Sequence, residues 1–179
     1  MSEIKVLLVP IKYSDKEQFI LNNQEAFRYG ALEEFGVRDT HFEEDDEIIS
    51  RATIENAIDS PNAETYHIIH DKQIVGGVVL NILSKENKGE LQLLFIIPKY
   101  HSKGIGYAAW LEVEKLHPEI TIWETYTPYF ETRNIHFYVN KCKFKIVEYF
   151  NQKHCMPKES NDVDNDINDN MFRFEKRLP

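Results

Sequence analysis

Residues 91–116, LQLLFIIPKYHSKGIGYAAWLEVEKL, constrain the fold more than any other stretch of this chain. The run from Leu91 to Ile97 is rich in β-formers and is stopped by Pro98; a short polar loop follows, and Gly104 and Gly106 open a segment of helical periodicity. Strand, loop, glycine turn and helix therefore succeed one another within a single stretch. Glycines let a ligand approach the backbone closely. The unpaired N–H groups of the helix's first turn, at the positive end of its dipole, suit a phosphate. The stretch reads as an anion cradle.

Length and charge limit what that cradle belongs to. A chain of 179 residues, 42% hydrophobic and 28% charged, supports one sizeable core, and we expect a single α/β domain over 1–179. A formal net charge of −9 argues against broad binding of nucleic acid, which needs a basic face, and accommodates a cationic partner more easily. The two cysteines, Cys142 and Cys155, do not make a secreted disulfide framework and are expected as reduced thiols. No apolar run approaches the roughly 20 residues that span a bilayer, and no signal-peptide pattern opens the chain. The expectation is a cytoplasmic protein with no membrane partner; association into a homodimer is left open.

Taken in order, Ile4 to Ile11 reads as a strand. Ser14 and Glu17 have capping-box spacing at the start of a helix reaching about Phe35, with Phe19, Phe27, Ala31 and Phe35 on one apolar face and Gly36 as its stop. The acidic run Glu43 to Glu47 precedes a second helix, Ile48 to Asp59; it is either a solvated helix start favoured by the dipole or an electrostatic lip for a cationic substrate. Thr65 to His70 and Ile74 to Leu83 read as a hairpin across Asp71-Lys72-Gln73, with Gly76 and Gly77 marking a bulge or a close backbone approach. Beyond the central stretch we expect a strand at Ile120 to Thr125, a helix at Thr132 to about Cys142, a strand at Phe144 to Phe150, a polar hairpin loop at 159–170 and a last strand at Met171 to Lys176. Asp164, Asp166, Asn168 and Glu175 match positions of a calcium loop, but Asp169 occupies its obligatory glycine site, so no metal is expected.

Gly104-Ile-Gly106-Tyr-Ala-Ala109 also fits the dinucleotide-binding fingerprint, with Glu124 about 20 residues on. Against that reading, Pro98 to Lys103 separate the strand from the first glycine, and no second βαβ half follows.

The segment resembles the acetyl-CoA motif of the GNAT superfamily of N-acetyltransferases: strand, Pro, basic loop, then Gln/Arg-x-x-Gly-x-Gly/Ala. Here these are Ile96, Pro98, Lys99-Tyr100 and His101-Ser-Lys-Gly104-Ile-Gly106, with His101 in place of Gln or Arg. Trp123-Glu-Thr-Tyr-Thr-Pro128 and Asn134-Ile-His-Phe-Tyr138-Val-Asn-Lys-Cys-Lys-Phe144 continue the similarity over roughly residues 64 to 150. Two departures stand out: Lys143 replaces the usual Gly, and Phe144 follows Tyr138 by one residue too many, which implies a one-residue insertion in the helix.

The resemblance implies an α/β (α+β) fold with a mixed, splayed sheet of about six to seven strands flanked by helices. It also implies transfer of an acetyl group from acetyl-CoA to a primary amine of a small molecule or peptide. The pyrophosphate would rest on the loop His101, Ser102, Lys103, Gly104, Ile105, Gly106 and Tyr107, and the thioester and pantetheine along Leu94, Phe95 and Ile96, whose freed amides include the oxyanion donor, Leu94. Tyr138 is the candidate acid for the departing thiolate, or else a core aromatic whose place Val139 takes. Asn134 either hydrogen-bonds the cofactor or caps its helix. Glu90, placed by strand alternation on one face with Gln92, Leu94 and Ile96, is the candidate base, with Glu124 and His136 behind it. The other class of function is a non-catalytic acyl-CoA-binding or protein-interaction module of the same fold.

Overall fold

The computed structural model describes residues 4–34, 36–37, 40, 42–43, 45–157 and 170–179. Its elements are β1 (Leu7–Pro10), α1 (Lys16–Leu32), α2 (Arg51–Asp59), β2 (Ala63–His70), β3 (Gln73–Leu83), β4 (Lys88–Ile96), α3 (Ile105–Leu116), β5 (Ile122–Pro128), α4 (Thr132–His136), β6 (Lys145–Phe150) and β7 (Met171–Arg177). This is the order expected from the sequence. The strands form one seven-stranded sheet, β1-β2-β3-β4-β5-β7-β6. Every neighbouring pair is antiparallel except β4 and β5, which run parallel and are paired only from Lys88↔Ile122 to Glu90↔Glu124. Beyond Glu90 the two strands part.

Each face of the sheet carries its own core. On one, Leu80 and Leu91 pack with Trp110 and Val113 of α3, Trp123 of β5, and Phe144 and Phe174. The two indoles meet edge to face, centroids 5.2 Å apart, a geometry worth about 0.5–1.5 kcal/mol beyond area burial. On the other, Phe19 and Ile20 of α1 and Ile54 of α2 cover Val79, Leu93 and Phe95. The paired glycines of β3 serve this close packing: a Cβ on Gly77 would lie 2.3 Å from the Phe19 ring, and one on Gly76 2.2 Å from the Phe95 carbonyl oxygen. The β2–β3 ladder also shifts register between Ile68 and Ile69, so bulge and close approach occur together.

Several local expectations change. No capping box forms between Ser14 and Glu17: a 3₁₀ turn, Tyr13–Asp15, precedes α1, the Asp15 carboxylate accepts from Lys12 N at 3.2 Å, and Glu17 pairs instead with Arg51 of α2. Local spacing lost to a tertiary partner. Helix α1 ends at Leu32, and Phe35 lies outside the described residues. α2 starts later than expected, with Ser50 as its cap accepting from Thr53 N at 3.0 Å. The acidic run is the scaffold of that start. Asp45 accepts from Arg51 N at 2.8 Å, Glu43 from Ser50 N at 2.7 Å, and Glu47 pairs with Arg28. The backbone bond from Arg51 is the main reason the Asp45 carboxyl is held below the usual carboxylate range. The 159–170 loop and the calcium-loop positions Asp164, Asp166, Asn168 and Asp169 lie outside the described residues except Asn170, while Glu175 is a residue of β7.

Candidate active site

The parting of β4 from β5 makes the site. Ile97 N donates to Val75 O at 2.8 Å, and in an antiparallel ladder the bonding direction alternates, so the amides of Ile96 and Leu94 point away from β3 into the gap. Phe95 does the reverse: its backbone faces β3 and its ring packs on Phe19, centroids 5.2 Å apart. On the far side Thr125 Oγ1 donates to Leu91 O at 2.9 Å, a side-chain bond where the ladder stops.

A bulge corrects the alternation argument for Glu90. The β3–β4 register jumps from Val79↔Leu93 to Leu80↔Leu91, leaving Gln92 as the extra residue. Leu91 consequently faces α3 while Leu93 and Phe95 face α1 and α2. Glu90, paired with Asn81, lies on the α1/α2 face and does not share one with Leu94 and Ile96, which pack on the α3 side. One inserted residue inverts every side chain beyond it.

At the end of β4 the chain passes Pro98–Tyr100 as a 3₁₀ turn and enters α3 through Gly104, whose φ of 74° is left-handed. Gly104 offers no side chain to cap this helix, and the first bond into it runs from Ala108 N to Gly104 O at 3.1 Å, so the N–H groups of Ile105, Gly106 and Tyr107 lack an intrahelical partner. A Cβ on Gly106 would meet nothing closer than 3.6 Å, the Phe137 ring. The protein's own packing does not require glycine there, and the missing side chain leaves room over the first turn. That bare, amide-lined turn fits a pyrophosphate. Ser102 is also left-handed, at φ 60°. Ile105 is buried, and Lys103 and Tyr107 are exposed. The His101 side chain turns inward: its Nε2 donates to Ile96 O at 2.6 Å, and its ring stands against Tyr29, centroids 5.4 Å apart.

The helix after β5 contains the extra residue that the spacing implied. α4 runs into a π turn, Phe137–Lys141, closed by Cys142 N donating to Phe137 O at 3.0 Å. Lys143 follows at φ 67°, the left-handed backbone for which glycine is usual. This register turns Tyr138 onto Phe174 and Phe144, at 5.4 and 5.9 Å, and brings its hydroxyl beside Thr125 at the mouth of the gap. Burial pushes the phenol up to about 12, with Thr125 acting against that rise. Val139 is also partly buried against the same core. Asn134 does not cap α4; it donates to Thr127 Oγ1 of β5 at 3.4 Å.

Of the weaker bases, His136 is exposed and lies 2.9 Å from Asn140 Nδ2, and Glu124 is bound by Arg173 Nη1 at 2.8 Å. Arg173 also reaches Glu148 at 2.8 Å. Burial and the carboxylates Glu124, Glu90 and Glu148 push the Tyr126 phenol up to about 12, with Arg173 opposing them. Sequence reasoning missed Arg173 and Thr125. Nothing local marks them, since their importance comes from which strands pair. Among the described residues no group of His, Cys, Asp and Glu is placed to hold a metal ion.

This chain belongs to the Acetyltransferase (GNAT) family, whose family model matches residues 24–144, more than half its length. It is 42% identical over 98% of its length to the uncharacterized protein YrkN of Bacillus subtilis (strain 168), of which it covers 95%. Its fold is similar to that of the Thermoplasma acidophilum PaiA N-acetyltransferase in complex with coenzyme A, at TM-score 0.62 and 20% identity over 98% of this chain and 100% of that one. It is likewise similar to the Vibrio cholerae spermidine N-acetyltransferase in complex with CoA and spermine, at TM-score 0.63 and 12% identity over 96% and 95%. Among the described residues no helix is long and apolar enough to cross a membrane.

Proposed function

We propose that this protein is an N-acetyltransferase that moves the acetyl group of acetyl-CoA to a primary amine of a small molecule or peptide, by direct attack within a ternary complex. The observation that carries this reading is the gap between β4 and β5, with the Leu94 and Ile96 amides directed into it beside the bare first turn of α3. The pyrophosphate is held by the amides from Ser102 to Tyr107, since His101 N already donates to Pro98 O at 3.0 Å, and the pantetheine lies along Leu94 and Ile96. The Leu94 amide donates to the oxyanion that forms as the amine nitrogen attacks the thioester carbonyl, an interaction worth roughly 3 kcal/mol. An alkyl amine with pKa near ~10.4 is almost wholly protonated at pH 7 and has no lone pair in that form, so one proton must pass to Glu90 or to water before the attack. The nitrogen loses its second proton after the attack, and as the C–S bond breaks the departing thiolate gains one, with Tyr138 beside it as hydrogen-bond donor.

The acceptor is read as a cationic amine. Glu90, Glu124 and Glu175 lie on the α1/α2 face of the sheet with Arg173 among them, and spermine is bound in one structure of similar fold. The acidic run before α2 is a weaker support, because its described carboxylates Glu43, Asp45 and Glu47 are engaged in helix capping and with Arg28. The test is thiol release from acetyl-CoA across a panel of polyamines, amino acids and peptides, alongside isothermal titration with CoA and NAD. Turnover on a cationic amine is the expected result. Tight CoA binding without turnover on any member would make the chain a binding module, and binding of NAD but not CoA would refute the donor site.

A further inference from the structure

The described residues place a buried carboxylate where three distant segments meet. Glu34, just past the end of α1, has a side chain only 7% exposed; it pairs with Arg133 of α4 and stands 3.3 Å from Nδ1 of His101. At that distance and angle the His101 contact is a close polar approach and not an aligned hydrogen bond. His101 itself is clamped on its other side by Ile96 O and by the Tyr29 ring. A Cβ on Gly30 would come within 3.7 Å of the Arg133 guanidinium, so α1 packs against the same cation. A carboxylate removed this far from water needs opposite charge beside it, and among the described residues Arg133 supplies that charge, with His101 Nδ1 in close polar approach.

His101 stands at the first position of the glycine loop, and α4 carries Asn134 and leads into Tyr138. We propose that Glu34 is a positioning residue for the acetyl donor: paired with Arg133, it stands behind His101 and so ties the loop to α4, and donor affinity depends on a side chain that never touches the donor. This assigns a role to the imidazole at a position where the motif has Gln or Arg. With Nε2 on the strand end and Nδ1 toward Glu34, the ring is a spacer between β4 and α1 and leaves the loop's backbone amides to face the phosphates. The inference rests on the donor-site reading above.

The experiment is a double-mutant cycle on the full chain, with Glu34→Gln, His101→Gln and the double variant. CoA affinity is read by isothermal titration, and kcat and both KM values with the best amine. Glu34→Gln is expected to weaken CoA binding and raise KM for acetyl-CoA about tenfold, the scale of losing a contact to a charged group, with kcat and amine KM within about twofold. In the His101→Gln background the same substitution is expected to add less than about twofold, because its effect travels through the ring. A purely structural role would instead lower kcat and raise both KM values together. Unchanged CoA affinity in Glu34→Gln, or effects that add in the double variant, overturns the proposal. If Glu34→Gln does not yield folded protein, the cycle of Arg133→Gln with His101→Gln decides by the same criteria. Failure of the unsubstituted chain to bind CoA overturns the donor site and this proposal together; normal binding with an indifferent Glu34→Gln overturns this proposal alone.

Discussion

Replacing Tyr138 with Phe tests how the departing thiolate is stabilised, and the structure sets the size of the effect. Burial holds the phenol at about 12, whereas an ordinary alkyl thiol lies near ~8.5. Complete proton transfer from this phenol to the thiolate is uphill by about 3.5 pK units, or about 5 kcal/mol. Tyr138 should therefore act mainly by donating a hydrogen bond to sulfur as charge develops. A hydrogen bond to a charged group is worth about 1.5–3 kcal/mol, which is roughly 10- to 150-fold in kcat. Loss of the hydroxyl leaves Thr125 with its own bond to Leu91 O, so no buried donor is orphaned and the stability cost stays near 1 kcal/mol, or about 2–4 °C in Tm. The assay is steady-state turnover at saturating acetyl-CoA and amine, with CoA affinity measured separately. A kcat within threefold of the unsubstituted enzyme, or a fall in kcat matched by an equal loss of CoA affinity, would refute the assignment of sulfur-directed hydrogen bonding to Tyr138.

Two further expectations concern the scaffold. The β2–β3 turn holds both Asp71 and Lys72 at positive φ, 49° and 63°, and Lys72→Gly should remove about 1 kcal/mol of left-handed strain and raise Tm by about 2–4 °C; an unchanged or lower Tm would show that no strain is stored there. At alkaline pH, burial pushes the Cys142 thiol from 9.0 up to about 12, so the folded chain keeps a proton that the unfolded chain has lost. That contribution is complete below pH 9 and is lost as pH rises toward 12, with a slope approaching about 1.4 kcal/mol per unit. Urea midpoints between pH 8 and 10 should fall more steeply in the parent than in Cys142→Ala, and equal slopes would count against the buried thiol as the cause.

What the sequence by itself determined is the set of features whose cause is local. The order of elements, the Pro98 stop, the glycine entry into α3 and the extra residue between Tyr138 and Phe144 were all legible, because periodicity, fixed proline φ and motif spacing act over a few residues. Tertiary structure decided whatever depends on which strands become neighbours. The Gln92 bulge moved Glu90 to the opposite face from Leu94, and no residue near Gln92 announces it, since the bulge exists only relative to β3. Glu17 left its capping box for Arg51, and the acidic run became the cap of α2, because partners brought close by folding offered better pairing than solvent. Arg173 and Glu34 belong to the same class. Their sequence contexts are ordinary, and only the pairing of β7 with β5 and the return of α1 against the glycine loop bring Arg173 to Glu124 and Glu34 to His101.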